Sequence, residues 1–224
     1  MIPVPSFTRL LAALLALVCL PAFAEDERSV DGLGRVSVQA GYRWVPNVYF
    51  AQQAGAAGYP MPHHSPGGPQ GSLSFGYGAT QFIEGTIDLF IGYEQLKLAN
   101  LDPFDAYSYG ALFGARAVAM DWPFHGLAPY VGVQVGPLLG VVDSKTYPNH
   151  ETVTTGYSFQ AGATLRFGDR FGLDLSVRYL VGRSYVTGIS GVNVGGLLVS
   201  LGLNVYFAGP PNKNPTSDLI PPQE

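Results

Sequence analysis

The chain is almost without cysteine. Its single one, Cys19, stands close to the N-terminus, so no disulfide framework can hold the remainder and stability must come from packing and closure. It is also short of charge. Only 12% of its 224 residues are Asp, Glu, Lys or Arg, and the balance is −4. Nothing here offers the basic patch that a nucleic-acid partner requires. Long apolar runs are missing as well. The only one, residues 10–20, is too short for a spanning helix, which takes roughly 20 apolar residues. Disulfide-stapled scaffolds, helical membrane proteins and nucleic-acid binders are thereby excluded, and the length suits one domain. What the chain has in plenty is 29 glycines, 13 tyrosines and 13 phenylalanines.

The N-terminus places Arg9 before the apolar run and Pro21-Ala22-Phe23-Ala24 after it. That order predicts a secretory signal peptide over 1–24, cut after Ala24. Val18 is not the small residue that lipidation of Cys19 would want. Residues 25–34 read as a polar lead-in.

From there the dominant signal is period-two alternation, which sends successive side chains to opposite faces of a strand. It is clearest over 196–207, where Leu197, Val199, Leu201, Leu203, Val205 and Phe207 take every second position. Seven earlier stretches alternate likewise, at about 35–45, 72–79, 87–94, 108–119, 130–136, 157–167 and 171–179. The connections at 46–70, 97–106, 143–155 and 183–195 are long, and the three between them are short. Eight strands with alternating long and short connections predict an all-β fold, an eight-stranded antiparallel up-and-down transmembrane β-barrel over 35–207. Both termini then lie on the side of the short turns.

Charge says which face is outside. The apolar faces of the eight stretches hold no Asp, Glu, Lys or Arg. The opposite faces hold Arg43, Asp88, Glu94, Arg116, Arg166, Asp174 and Arg178. An Arg or Lys on a lipid face costs about 2–4 kcal/mol at the bilayer midplane, so the apolar faces belong outside. A soluble barrel of the lipocalin kind would show the reverse. Eight strands enclose a bore just wide enough for side chains to fill, and the seven charges predict an internal ion-pair network that plugs it. In this reading Arg116, Arg166 and Arg178 answer Asp88, Glu94 and Asp174. Inward glycines leave room for the arginines, Phe90 and Tyr130. Tyr42, Trp44, Tyr93, Tyr107 and Tyr179 fall at one rim and Phe167, Phe171 and Phe207 at the other, as interfacial girdles do.

The closing stretch Ser200-Leu201-Gly202-Leu203-Asn204-Val205-Tyr206-Phe207 has the order polar, any, Gly, any, any, apolar, any, aromatic. It resembles the C-terminal sorting signal of bacterial outer-membrane β-barrels, with Ser200, Gly202, Val205 and Phe207 at the signal positions. Residues 160–167 repeat the order. The chain from 35 to 207 is similar in pattern to the family of small OmpA/OmpX-type outer-membrane β-barrels. The resemblance implies a Gram-negative outer membrane with both termini in the periplasm, outer-membrane lipids as surroundings and the barrel-assembly machinery as a partner. In many such barrels the aromatic is the last residue, whereas here a Pro-rich segment, 208–224, follows and is expected to be extended in the periplasm.

Enzymatic members of such barrels imply specific residues. Those resembling lipid A deacylases would need a His and a Ser two apart on a lipid-facing strand, yet His63-His64-Ser65 falls in a Pro- and Gly-rich loop. Those resembling palmitoyltransferases would pair a loop His with an Asp-Ser such as Asp143-Ser144, and need an apolar lumen where this one carries seven charges. No enzyme activity is expected. His63, His64 and His150 lack the Cys or acidic company of a metal site, so no metal or other cofactor is expected. Pro129 and Pro137 mark either the ends of the fifth strand or a lateral gap towards the membrane. The expected role is structural or surface-interacting, with an extracellular ligand met through the loops and no nucleic acid. The alternative is a narrow OmpW-like channel or conduit for small apolar solutes.

Overall fold

A computed structural model describes residues 30–45, 67–96, 104–119, 126–143, 150–167, 170–186 and 189–208. The expected signal peptide, most of the lead-in, His63, His64, Ser65, Ser144 and all of the Pro-rich segment after Ala208 lie outside the described residues.

The strands are β1 (Leu33–Trp44), β2 (Gly68–Gly78), β3 (Ile83–Leu96), β4 (Phe104–Val118), β5 (Leu127–Asp143), β6 (His150–Phe167), β7 (Phe171–Val181), β8 (Arg183–Val186), β9 (Ile189–Asn193) and β10 (Gly196–Ala208). Eight of them close into one antiparallel barrel in the order β1-β10-β7-β6-β5-β4-β3-β2, and β8 and β9 form a separate two-stranded sheet. The pairing register can be followed once around. Gly34 faces Tyr77, then Gly85, Ala115, Val133, Phe159, Tyr179 and Leu197, and the circuit returns to Trp44, ten residues further along β1. Eight strands sheared by ten residues must tilt, at about 40°, to close.

Alternation sorts the side chains as expected. Val38, Leu201 and Leu203 on the outer face keep 62%, 60% and 65% of their surface exposed, while Ser37 and Asp174 on the inner face keep none. Between the strand ends the outer face is aliphatic and aromatic, giving way to polar residues such as Asp105 and Glu151 towards the loop end. A continuous apolar belt of this extent suits lipid and would be untenable in water. Its aromatic rim includes the Tyr42–Trp44 edge-on pair and the Tyr93, Tyr107 and Tyr109 cluster.

The strand ends correct the sequence reading in three places. β2 begins at Gly68, β4 at Phe104 and β6 at His150, so three of the long connections are shorter than expected. The polar run His150-Glu151-Thr152-Val153-Thr154-Thr155 reads as loop because it lacks an apolar face, yet it pairs with 137–142 of β5. Residues 183–195, expected as a plain loop, contain the β8–β9 hairpin. Neither proline ends the fifth strand: Pro129 pairs with Ala163 and Pro137 with Thr155 inside β5. A proline has no N–H to give a neighbour. Correspondingly, the β4–β5 ladder skips Ala111 and Leu112 opposite Gly136 and Pro137, passing from the Gly110↔Leu138 pair to Phe113↔Val135.

The short turns and the two chain ends of the barrel share one end, here the turn end; the long connections share the other, the loop end. At the turn end the chain enters through Gly32 in a left-handed conformation (φ 67°), whose N–H donates to the Gly78 carbonyl. That turn folds Val30 inward against Val118, Ala128 and Tyr130.

Candidate functional site

The inward side chains form layers along the bore. Just above the Val30 cluster, Glu84 sits between two arginines. Arg35 Nε donates to Glu84 Oε1 at 2.9 Å, and Arg116 Nε and Nη2 donate to Glu84 Oε2 at 2.9 and 2.7 Å. Both Arg116 donors converge on one carboxylate oxygen, leaving the other to Arg35, and these charge-assisted bonds are stronger than neutral ones. Gly76 opposite makes this possible, because a Cβ there would lie 1.7 Å from Glu84 Oε1. Arg116 also lies over the Tyr130 ring, 4.5 Å from its centre. The Tyr130 hydroxyl donates to Asp174 at 2.8 Å, and Asp174 accepts further bonds from Thr164 and Gln39.

Ser74 links this layer to the next. It accepts from Arg35 Nη2 at 3.2 Å and donates to Asp88, whose other oxygen binds Arg178. Arg178 also donates to Gln160. Arg116, Glu84, Arg35, Ser74, Asp88, Arg178 and Gln160 are therefore one connected chain of bonds, drawn from six different strands and all buried. In a low-dielectric interior such pairing is obligatory, since an isolated charge would be too costly.

Above it the lumen turns apolar. Phe90, Leu112, Leu138, Leu180 and Val194 form one buried cluster, fitted over Gly110, Gly156 and Gly182, where a Cβ would meet Phe90 or Leu138 within 2.4 Å. Arg43 reaches across the loop end of the bore. Its Nη1 donates to Ser108 Oγ on β4 and to the Val194 carbonyl, both at 2.8 Å, and its Nη2 lies 3.9 Å from Glu94.

Of the residues expected in the lumen, Arg43, Asp88, Glu94, Arg116, Asp174 and Arg178 are all inward and buried, but the partnerships differ from those anticipated. Asp88 takes Arg178, whereas Arg116 takes Glu84, Glu94 takes Arg43, and Asp174 is held by hydroxyl and amide groups. Arg166 lies apart at the turn end, half-buried and stacked on Tyr206 at 4.5 Å. Arg35 and Glu84, the centre of the lower layer, were missed. Glu84 reads as part of a turn and Arg35 as the edge of a strand; only the continued parity with Ser37 and Thr86 marks them as inward.

The residues of the sorting pattern lie along the seam where the last strand meets the first. Ser200 Oγ shares a hydrogen bond with Ser176 at 2.7 Å and donates to Gln39 at 3.4 Å. Gly202 gives space to Gln39, whose Cγ a Cβ would approach to 2.6 Å. Val205 and Phe207 face outward, and the Phe207 ring lies over Gly34 on β1, so close that a Cβ there would be 2.1 Å from it.

No family model matches the chain, and no curated protein matches it. Solved structures do. Neisserial surface protein A is similar over 79% of this chain and 98% of its own, at 17% identity and a TM-score of 0.51. The outer membrane protein OprG from Pseudomonas aeruginosa is similar over 80% and 97%, at 12% identity and 0.53. Ail, the attachment invasion locus protein of Yersinia pestis, solved in complex with the heparin analogue sucrose octasulfate, is similar over 79% and 99%, at 14% and 0.50. At these identities the likeness is one of fold: the small, eight-stranded β-barrel of Gram-negative outer-membrane proteins.

Proposed function

We propose that this chain, sharing the fold of the small outer-membrane barrels, is an exported protein of the Gram-negative outer membrane. Its lumen is closed to ions, and its role is exercised at the cell surface. The signal peptide over 1–24 directs export, and the turn end with both termini faces the periplasm. The seam residues Ser200, Gly202, Val205 and Phe207 are read by the barrel-assembly machinery, and the long connections meet an extracellular ligand. One observation carries the closed lumen: the connected bonds from Arg116 to Gln160 lie between two apolar layers, with every member buried. The loop sequences are nearly neutral, with Lys97, Lys145 and Arg183 as their few cations. A protein surface or an uncharged glycan therefore suits them better than a polyanion. No chemical step is assigned, because the hydroxyls that meet carboxylates, Ser74 on Asp88 and Thr164 on Asp174, are buried within the paired network. Planar-bilayer recording tests the reading: the purified barrel is expected to stay silent, and steady conductance by the unmodified protein would overturn the closed lumen.

A second reading, a narrow conduit for small apolar solutes, draws on the interruption of the β4–β5 ladder at Gly136–Pro137. It lies on the same stretch of wall as Leu112 and Leu138 of the apolar layer. Uptake of a labelled alkane into liposomes carrying the barrel would favour this reading over the first.

A further inference from the structure

The β8–β9 hairpin is attached to the barrel in an unusual way. Its register continues that of β7 and β10: Leu180 faces Gly196, and Arg183 faces Asn193. The flanking ladders have already stopped, β6 with β7 at Val181 and β1 with β10 at Trp44. The hairpin is therefore a flap whose strands pair only with each other, with β8 resting beside β6. Its base is Gly182 on one side and Val194, Gly195 and Gly196 on the other. Gly196 has φ 132°, a conformation that side-chain-bearing residues rarely take and a natural place for the chain to bend.

Two contacts hold this base down. Val194 is buried among Phe90, Leu112, Leu138 and Leu180, and its carbonyl accepts the 2.8 Å bond from Arg43. The same Arg43 nitrogen holds Ser108 on the far wall. One guanidinium thus ties the flap to β4 across the mouth, while the Val194 side chain fills the top of an apolar recess. We propose that the hairpin is a latched gate: Arg43 is the latch and Val194 the stopper. Swinging the flap away opens a dead-end recess, floored by Phe90, Leu112, Leu138 and Leu180, that binds a small apolar molecule. The ion-pair layer below closes the recess, so it goes beyond the closed-barrel reading without requiring passage through the wall or the bore.

The test uses the full barrel in lipid nanodiscs with labelled Leu and Val methyls, and xenon as the probe. Empty apolar sites lined by Leu and Phe take up xenon. Arg43→Met keeps bulk but removes the latch. It is expected to speed hydrogen exchange at the Val194 amide, which now donates to the Gly182 carbonyl, by about tenfold or more, the value of one charge-assisted hydrogen bond. It should also give saturable xenon shifts at Leu138 and Leu180, while the lipid-facing Leu201 and Leu203 shift without saturating. Should Arg43→Met fail to fold, Ser108→Ala removes the far anchor and carries the same expectation in weaker form. Unchanged exchange at Val194 would overturn the latch, and absence of saturable shifts in the variant would overturn the recess. Conductance is read separately: a conducting Arg43→Met barrel refutes the closed lumen, whereas a silent one that binds xenon supports both.

Discussion

Glu84 is the residue on which the lower lumen turns. It answers two arginines at once, and all three are buried. Glu84→Gln keeps the shape and removes the charge, leaving Arg35 and Arg116 without their anion. Breaking a buried pair this way typically costs 3–5 kcal/mol, so folded stability should fall by about that amount, read by urea titration in bilayers. Adding Arg116→Met should recover part of the loss, since contacting residues are not additive; no recovery would mean the two do not act as a pair. Arg166→Met should be mild by comparison, about 1 kcal/mol or less, because Arg166 is half-buried and stacks on Tyr206 rather than anchoring the network. This difference was not legible in the sequence. Arg116 and Arg166 look alike along their strands, and which carboxylate each meets depends on tilt and on side chains from strands far apart in the chain.

At the scale of the strand, far more was legible. The faces of all eight barrel strands follow from alternation alone, because a one-residue slip would turn every apolar side chain inward. Leu201→Arg should therefore cost about 2–4 kcal/mol in lipid, and Ser200→Ala, on the inner face beside Ser176, clearly less; equal losses in bilayer unfolding would mean the faces are reversed. Strand ends were less legible. β5 and β6 continue past the apolar belt into His150–Thr155, where neither face need be apolar and no alternation remains to be read. The seam makes a sharper demand. Gly34→Ala puts a methyl group where the Phe207 ring lies, and glycine–aromatic packing across strands helps to fix register. The variant should refold more slowly and to lower yield, seen as a reduced folded band on unboiled gels, whereas Gly71→Ala, which meets only one backbone oxygen at 3.8 Å, should behave as the parent does.

The whole molecule is a barrel whose eight strands share one fate. Each has two neighbours, so removing β10 leaves two open edges with no sheet to satisfy them. Deleting 196–208 should abolish the heat-modifiable folded form altogether, and a folded band surviving that deletion would contradict closure through the β1–β10 pairing. Closure, inside and outside were all implied by charge segregation and by the rhythm of long and short connections. The flap was not, because its sequence differs little from any loop. Its register with β7 and β10 emerges only once those strands are paired.

The turn end has a mechanical side. Leu33 and Ala208 are paired neighbours in the wall, yet three residues before Leu33 the chain has already turned inward, with Val30 packed inside the bore. The two ends of the barrel are thus adjacent in the sheet but differently anchored. A pull on the segment after Ala208 acts along β10 and loads its row of hydrogen bonds with β1 together, the direction in which a sheet resists most. A pull on the segment before Val30 draws out one side chain like a cork, with the backbone bonds of its turn from Val30 N–H to Gln81 and from Gly32 N–H to Gly78. Anything that grips this protein from below can therefore uncork it with a small force at one end or strain its frame with a large one at the other.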